Sequence, residues 1–172
     1  MVYGLCVNSN GDQGDVTLVQ SKYVANSYAN TPLKVSGNIS NITEESALLA
    51  YQYVCNIYFP NESILPNVLT HLGWGMSVSG GTAKDGPSAG LAFAMSYYSL
   101  FTGLKLKNVA MTGEIDLHGN IKRIGGVNGK IRGAKKAKCT LVLIPSDNIV
   151  DVNKELLQDK TIKIIGIKYM DV

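Results

Sequence analysis

Hydrophobic and polar positions change their period repeatedly along this chain, and the changes mark its elements. Residues 2–7 and 15–21 are apolar, β-branched runs on either side of Asn8-Ser9-Asn10-Gly11-Asp12-Gln13-Gly14. The Asn-Gly step in that polar stretch is a turn signal, so the chain is expected to open with a β-hairpin. A short strand follows at 33–35. Asn41-Ile42-Thr43-Glu44-Glu45 then supplies a capping residue and two acids ahead of residues 46–58, where Ala47, Leu48, Tyr51, Val54, Cys55 and Tyr58 recur at helical spacing. Pro60 and Pro66 predict a loop over 56–67, His71 reads as a loop residue, and a strand at 74–79 leads into Gly80-Gly81.

From 86 to 101 the sequence is almost wholly apolar or small. Asp85 and Pro87 are start signals and Gly103 is a stop signal, which predicts a buried central helix. Residues 108–115 and 120–124 predict a second hairpin around His118-Gly119. A helix at 127–138, an apolar strand at 140–144, a short helix capped by Ser146 and reaching about 157, and an alternating strand at 161–168 complete the chain. Strands and helices interleave with no tandem repeat or long linker. The expected class is therefore α/β, as a single compact mixed domain, and 172 residues with 45% hydrophobic content can bury one such core.

A formal charge of +3 is too small, and the lysines too dispersed apart from Lys135, Lys136 and Lys138, to predict a nucleic-acid partner. Cys6, Cys55 and Cys139 are widely spaced with no CxxC pair, which is the wrong pattern for a metal site or a disulfide framework. An intracellular reducing compartment, cytoplasm or organelle matrix, is the simpler expectation. No apolar run reaches the roughly 18 residues of a membrane span, and no secretory leader opens the chain, so no membrane association is expected. Without a leader, the N-x-[ST] triplets at Asn38, Asn41 and Asn61 read as turn residues.

The most informative segment is Lys84-Asp85-Gly86-Pro87-Ser88-Ala89-Gly90. It places a serine in the first turn of a buried helix, beside unpaired N–H groups and the positive end of the helix dipole, where an oxyanion can be held. Such a setting suits acyl transfer. A small polar residue behind an Asp85 cap fits the same local sequence. Gly86-Pro87-Ser88-Ala89-Gly90 also fits the G-x-S-x-G nucleophile elbow, which needs an acid and then a histidine downstream. His71 precedes the serine, and His118 sits in an expected hairpin turn two residues after Asp116, so that pattern is poorly met.

Without a histidine, the remaining base is a lysine whose ammonium is destabilised by burial. On the 127–138 helix, steps of about 100° from Ile131 put Val127 and Ala134 within about 60° of it, and Lys130 at the edge of that stripe. Small neighbours leave room for Lys130 to lie inward, although a rim lysine can equally extend into water. Gly125-Gly126-Val127-Asn128-Gly129-Lys130 fails as a phosphate loop, with Ile124 where glycine is required and Ile131 where serine or threonine is required. Nucleotide binding is not expected.

Taken in order, Lys84-Asp85-Gly86-Pro87-Ser88-Ala89-Gly90, Met111-Thr112-Gly113-Glu114-Ile115 and Ile124-Gly125-Gly126-Val127-Asn128-Gly129-Lys130 resemble three motifs of the Lon protease proteolytic domains, with Ser88 and Lys130 42 residues apart. The likeness extends more weakly to Thr140-Leu141-Val142-Leu143-Ile144-Pro145 and to Ser36-Gly37 with Glu44-Glu45-Ser46. That resemblance implies a serine endopeptidase acting on unfolded or flexible polypeptide. Ser88 would be the nucleophile and Lys130 the general base, with Thr112 orienting the lysine or serving only as a strand residue. Backbone N–H groups near Asp85, Gly86 and Ser88 would form the oxyanion hole, and Asp85 would cap the helix or pair with the lysine in an inactive arrangement. It also implies a Lon-type fold over the whole chain, no cofactor in this domain, ATP used only through a separate ATPase module, and a homo-hexamer. The 172 residues hold no such module, so an excised domain or a stand-alone relative is expected. Gly75-Met76-Ser77-Val78-Ser79 lacks the histidines that many members carry there.

Overall fold

The computed structural model describes residues 2–8, 10–25, 31–62, 64–73 and 86–171. The strand expected at 74–79, Lys84 and Asp85 lie outside them.

The opening hairpin forms as expected. Strands β1 (Val2–Val7) and β2 (Gly14–Tyr23) pair antiparallel from Val2↔Val19 to Val7↔Gly14. Strand β3 (Leu33–Ser36) precedes helix α1 (Asn41–Tyr58), which starts a full turn before the expected residue 46. The cap is Ser40 rather than Asn41: its extended backbone lets the hydroxyl accept the Thr43 N–H at 3.3 Å. Strand β4 (Val68–Leu72) carries His71, so the loop reading of that residue is corrected. The alternation of buried Val68, Thr70 and Leu72 with less buried neighbours is a five-residue strand pattern.

After a 3-10 turn at Pro87–Ala89, helix α2 (Gly90–Thr102) runs through the core and stops at Gly103, whose φ of 74° suits the left-handed cap. Strand β5 (Val109–Met111) does not form the expected hairpin with the segment around 120. It joins the main sheet between β1 and β8 (Leu141–Pro145), and the chain then leaves that sheet at Thr112-Gly113. Only β6 (Glu114–Ile115) and β7 (Ile121–Lys122) make the small hairpin. Helix α3 (Val127–Lys136) ends two residues early because Lys138 takes a left-handed φ of 60°. The helix expected from Ser146 divides into a 3-10 turn at Ser146–Asp151 and helix α4 (Lys154–Leu157), before strand β9 (Lys163–Ile167).

The main sheet has the order β3-β4-β2-β1-β5-β8-β9, antiparallel across β1/β2 and β2/β4 and parallel elsewhere. Its two faces carry separate apolar clusters. Val2, Val19 and Met111 pack with α1 and α2, where Tyr51, Phe93 and Tyr97 are wholly buried. Leu5, Val16, Ala110, Val142 and Ile144 pack with α3 through Val127, Ile131 and Ala134. Val2 and Leu5, or Ala110 and Met111, point to opposite faces as the two-residue strand period requires. The class is thus α/β with helices on both sides of a mixed sheet. Cys6, Cys55 and Cys139 are not joined in disulfides, and among the described residues no helix is long and apolar enough to cross a membrane.

Helix α3 meets the first hairpin backbone to backbone. A Cβ on Gly133 would stand 2.4 Å from the Gly14 carbonyl carbon, and one on Gly14 would stand 1.8 Å from the Gly129 oxygen. Alanine in a helix ordinarily gains up to about 1 kcal/mol over glycine. Here the steric conflict dominates, and Gly133→Ala is expected to lower stability by about 1–2 kcal/mol. A fall in the urea midpoint at unchanged slope would register it; a rise would show that helix and hairpin are not in this close contact.

Candidate active site

Ser88 lies in the middle of the 3-10 turn that opens α2, and three successive carbonyls of that turn are tied to other elements. On the buried face of α1, the Thr43 hydroxyl donates to Gly86 O at 3.3 Å and the Ser46 hydroxyl donates to Pro87 O at 3.0 Å. From the end of β5, the Thr112 hydroxyl and the Gly113 N–H donate to Ser88 O at 3.1 and 2.8 Å. Gly86, at φ 96°, supplies the backbone bend that a residue with a Cβ rarely adopts. The hydroxyl-bearing turn is therefore fixed from two sides before any ligand arrives.

Lys130 comes from the opposite side of the sheet. Its helix is held against the first hairpin by the glycine contacts, and the side chain is 3% exposed, so the inward orientation is the one realised. Nζ lies 2.9 Å from Ser88 Oγ and 3.1 Å from Thr112 Oγ1. Thr112 is wholly buried, and its own proton is directed at Ser88 O, which leaves an oxygen lone pair for a Lys130 N–H. With one N–H committed to Thr112, the lone pair of a neutral Lys130 amine is free to face Ser88 Oγ–H. Burial pushes the Lys130 ammonium down from 10.5 to about 8, with Cys6 acting more weakly in the opposite sense.

The site opens into a cleft of about 500 Å³ whose walls include Asn8 and Gly11 of the first turn, Glu114, and the segment from Arg123 to Gly126. Neither histidine takes part in the bonds described. His71 Nδ1 pairs with Ser36 Oγ at 3.0 Å, and the His118 N–H donates to Asp116 Oδ1 in an exposed turn. Among the described residues no group of three His, Cys, Asp or Glu side chains converges to hold a metal.

Sequence comparison bears on the same region. The profile of the Lon protease (S16) C-terminal proteolytic domain matches residues 1–171. The chain belongs to the Lon proteolytic-domain family. It is 38% identical over 172 residues to a Lon protease homolog of Acanthamoeba polyphaga mimivirus, covering 92% of this chain and 16% of that protein. Over 151 residues it is 36% identical to a mitochondrial Lon protease homolog of Candida albicans, covering 84% and 14%. A Lon protease of Parabacteroides distasonis is 34% identical over 161 residues, covering 90% and 18%. The chain thus spans less than a fifth of the length of these Lon relatives.

Of the residues singled out from the sequence, the structure brings Ser88, Lys130, Thr112 and Gly86 together, and Asp85 lies outside the described residues. The sequence reading missed Thr43 and the role of Ser46, which are 1% and 3% exposed. Their signal was present as two hydroxyls at i, i+3 on the apolar face of a helix, where a polar side chain needs a partner across the core.

Proposed function

We propose that this chain carries out the peptide-cleaving step of a Lon-type serine endopeptidase, with Ser88 as nucleophile and Lys130 as general base. The observation that carries the reading is the 2.9 Å contact between Ser88 Oγ and the Nζ of a lysine that is 3% exposed. Neutral Lys130 takes the Ser88 proton as Oγ attacks the scissile carbonyl, and returns it to the leaving amine. A water then repeats the sequence on the acyl-enzyme. Thr112 directs the lysine lone pair, while the family resemblance assigns the oxyanion to backbone N–H groups around Asp85, Gly86 and Ser88. The substrate is unfolded or flexible polypeptide. Hydrolysis itself uses no cofactor, ATP acts through a separate ATPase module, and a homo-hexamer in a reducing compartment is the working assembly.

The test is the pH dependence of hydrolysis of an unstructured polypeptide. Only the neutral lysine is competent, so the rate should rise about tenfold per pH unit at low pH and level off above about 8, where Lys130 titrates. A profile that levels off near 6.5 would point to a histidine base. No hydrolysis at any pH would favour a non-catalytic binding module on the same fold.

A further inference from the structure

The row of backbone groups along β7 and its continuation has a two-residue alternation that is filled on one side and only half filled on the other. On the inner side, Asn120 O accepts the Asp116 N–H at 3.2 Å, and Lys122 stands opposite Glu114 in the β6–β7 pair. Ile124 is held at both backbone groups by the side chain of Asn148, which is 1% exposed. Asn148 Oδ1 accepts the Ile124 N–H at 2.9 Å, and its Nδ2 donates to Ile124 O at 3.0 Å.

On the outer side, Gly119 O accepts the Met170 N–H at 2.9 Å, and the Ile121 N–H donates to Lys168 O at 2.8 Å, so residues 168–170 lie antiparallel along this edge. By the same alternation, the next groups in the row belong to Arg123 and Gly125. Among the described residues these have no backbone partner, and both residues are exposed. Both also line the cleft that contains Ser88 and Lys130. A Cβ on Gly125 would meet no atom within 4 Å, so the chain is uncrowded on the side where a side chain would stand.

We propose that the Arg123 and Gly125 backbone is the edge on which an extended segment of the polypeptide substrate docks as an added strand, running past Ser88. This rests on the reading of Ser88 and Lys130 as a peptidase site. Main-chain pairing of this kind suits a substrate recognised by its extended backbone more than by its sequence. Asn148 is a positioning residue for the edge: by holding Ile124 it keeps the flanking groups turned toward the cleft. The Arg123 guanidinium is drawn aside by Asp151, whose carboxylate also accepts from Asn148 Nδ2 at 2.9 Å.

The test compares Gly125→Pro, which removes the N–H and puts a ring carbon in its place, with Gly125→Ala, which keeps the N–H and extends into open space. With a fluorogenic octapeptide, KM should be about threefold to tenfold higher for Gly125→Pro than for Gly125→Ala, the value of one hydrogen bond. Phosphonylation of Ser88 by a small fluorophosphonate, which has no backbone to dock, should proceed equally in all three. Equal KM for the two variants overturns the edge and leaves the site reading intact. Failure of the parent chain to react with the fluorophosphonate removes the site reading, and the edge falls with it. Should Gly125→Pro not fold, octapeptides carrying a single N-methyl group at successive amides decide the matter on the parent chain. Sensitivity at every second residue supports an added strand, and a flat series excludes it.

Discussion

Ser88→Ala, Lys130→Ala and the double variant are expected to hydrolyse an unstructured polypeptide at one shared residual rate, about a thousandfold or more below the parent chain. The equality is as informative as the loss. Ser88 Oγ and Lys130 Nζ lie 2.9 Å apart and would act in a single proton transfer, so removing the second partner after the first has nothing left to remove. Lys130→Arg belongs in the same series. A guanidinium keeps the charge and the donors but does not deprotonate in this pH range, so it should be as inactive as alanine. An active arginine variant would mean that residue 130 serves as a fixed cation, with the base elsewhere.

Lys130→Met should make the chain more stable while abolishing activity. The folded state binds the lysine proton with a pKa of about 8, against 10.5 for a free lysine, so below pH 8 burying the ammonium costs the fold roughly 3 kcal/mol at most. Between the two values the unfolded chain binds more protons than the folded one. This group's contribution therefore improves as pH rises through that window, and the penalty is gone above it. Methionine has similar length, and Thr112 still donates to Ser88 O, so no buried donor is stranded. A gain of about 1–3 kcal/mol at pH 7 is expected, shrinking toward zero near pH 10.5, as read from urea unfolding at the two pH values. A loss at pH 7 would mean that the lysine is stabilising in its buried position, contrary to the cost argued from its desolvation.

What could be read from the sequence followed the range of the interactions. The first hairpin, the central helix and the final strand are set by periodicity and turn residues close in sequence, and they form where expected. Helix α1 starts earlier than its sequence predicts because the capping side chain is Ser40, and Asn41 after it is an equally good cap by composition. For strand β5 the sequence predicts a local hairpin, since its nearest apolar partner along the chain is the segment around 121. Its actual partners, β1 and β8, are distant along the chain, and parallel pairing leaves no turn signal between them. For the site, helical spacing could bring Lys130 only to the rim of a face. Its burial depends on Gly14, Gly129 and Gly133 letting α3 settle onto the first hairpin, a contact between segments more than 100 residues apart.

The turn bearing Ser88 is held by hydroxyls from α1 and by the end of β5, and its partner amine arrives on α3 from across the sheet. These segments meet only once both faces of the sheet are covered. On the proposed mechanism, a chain that has made Ser88 but not yet α3 lacks the base that would activate its serine during synthesis. On that mechanism, reactivity is gained only together with completed folding.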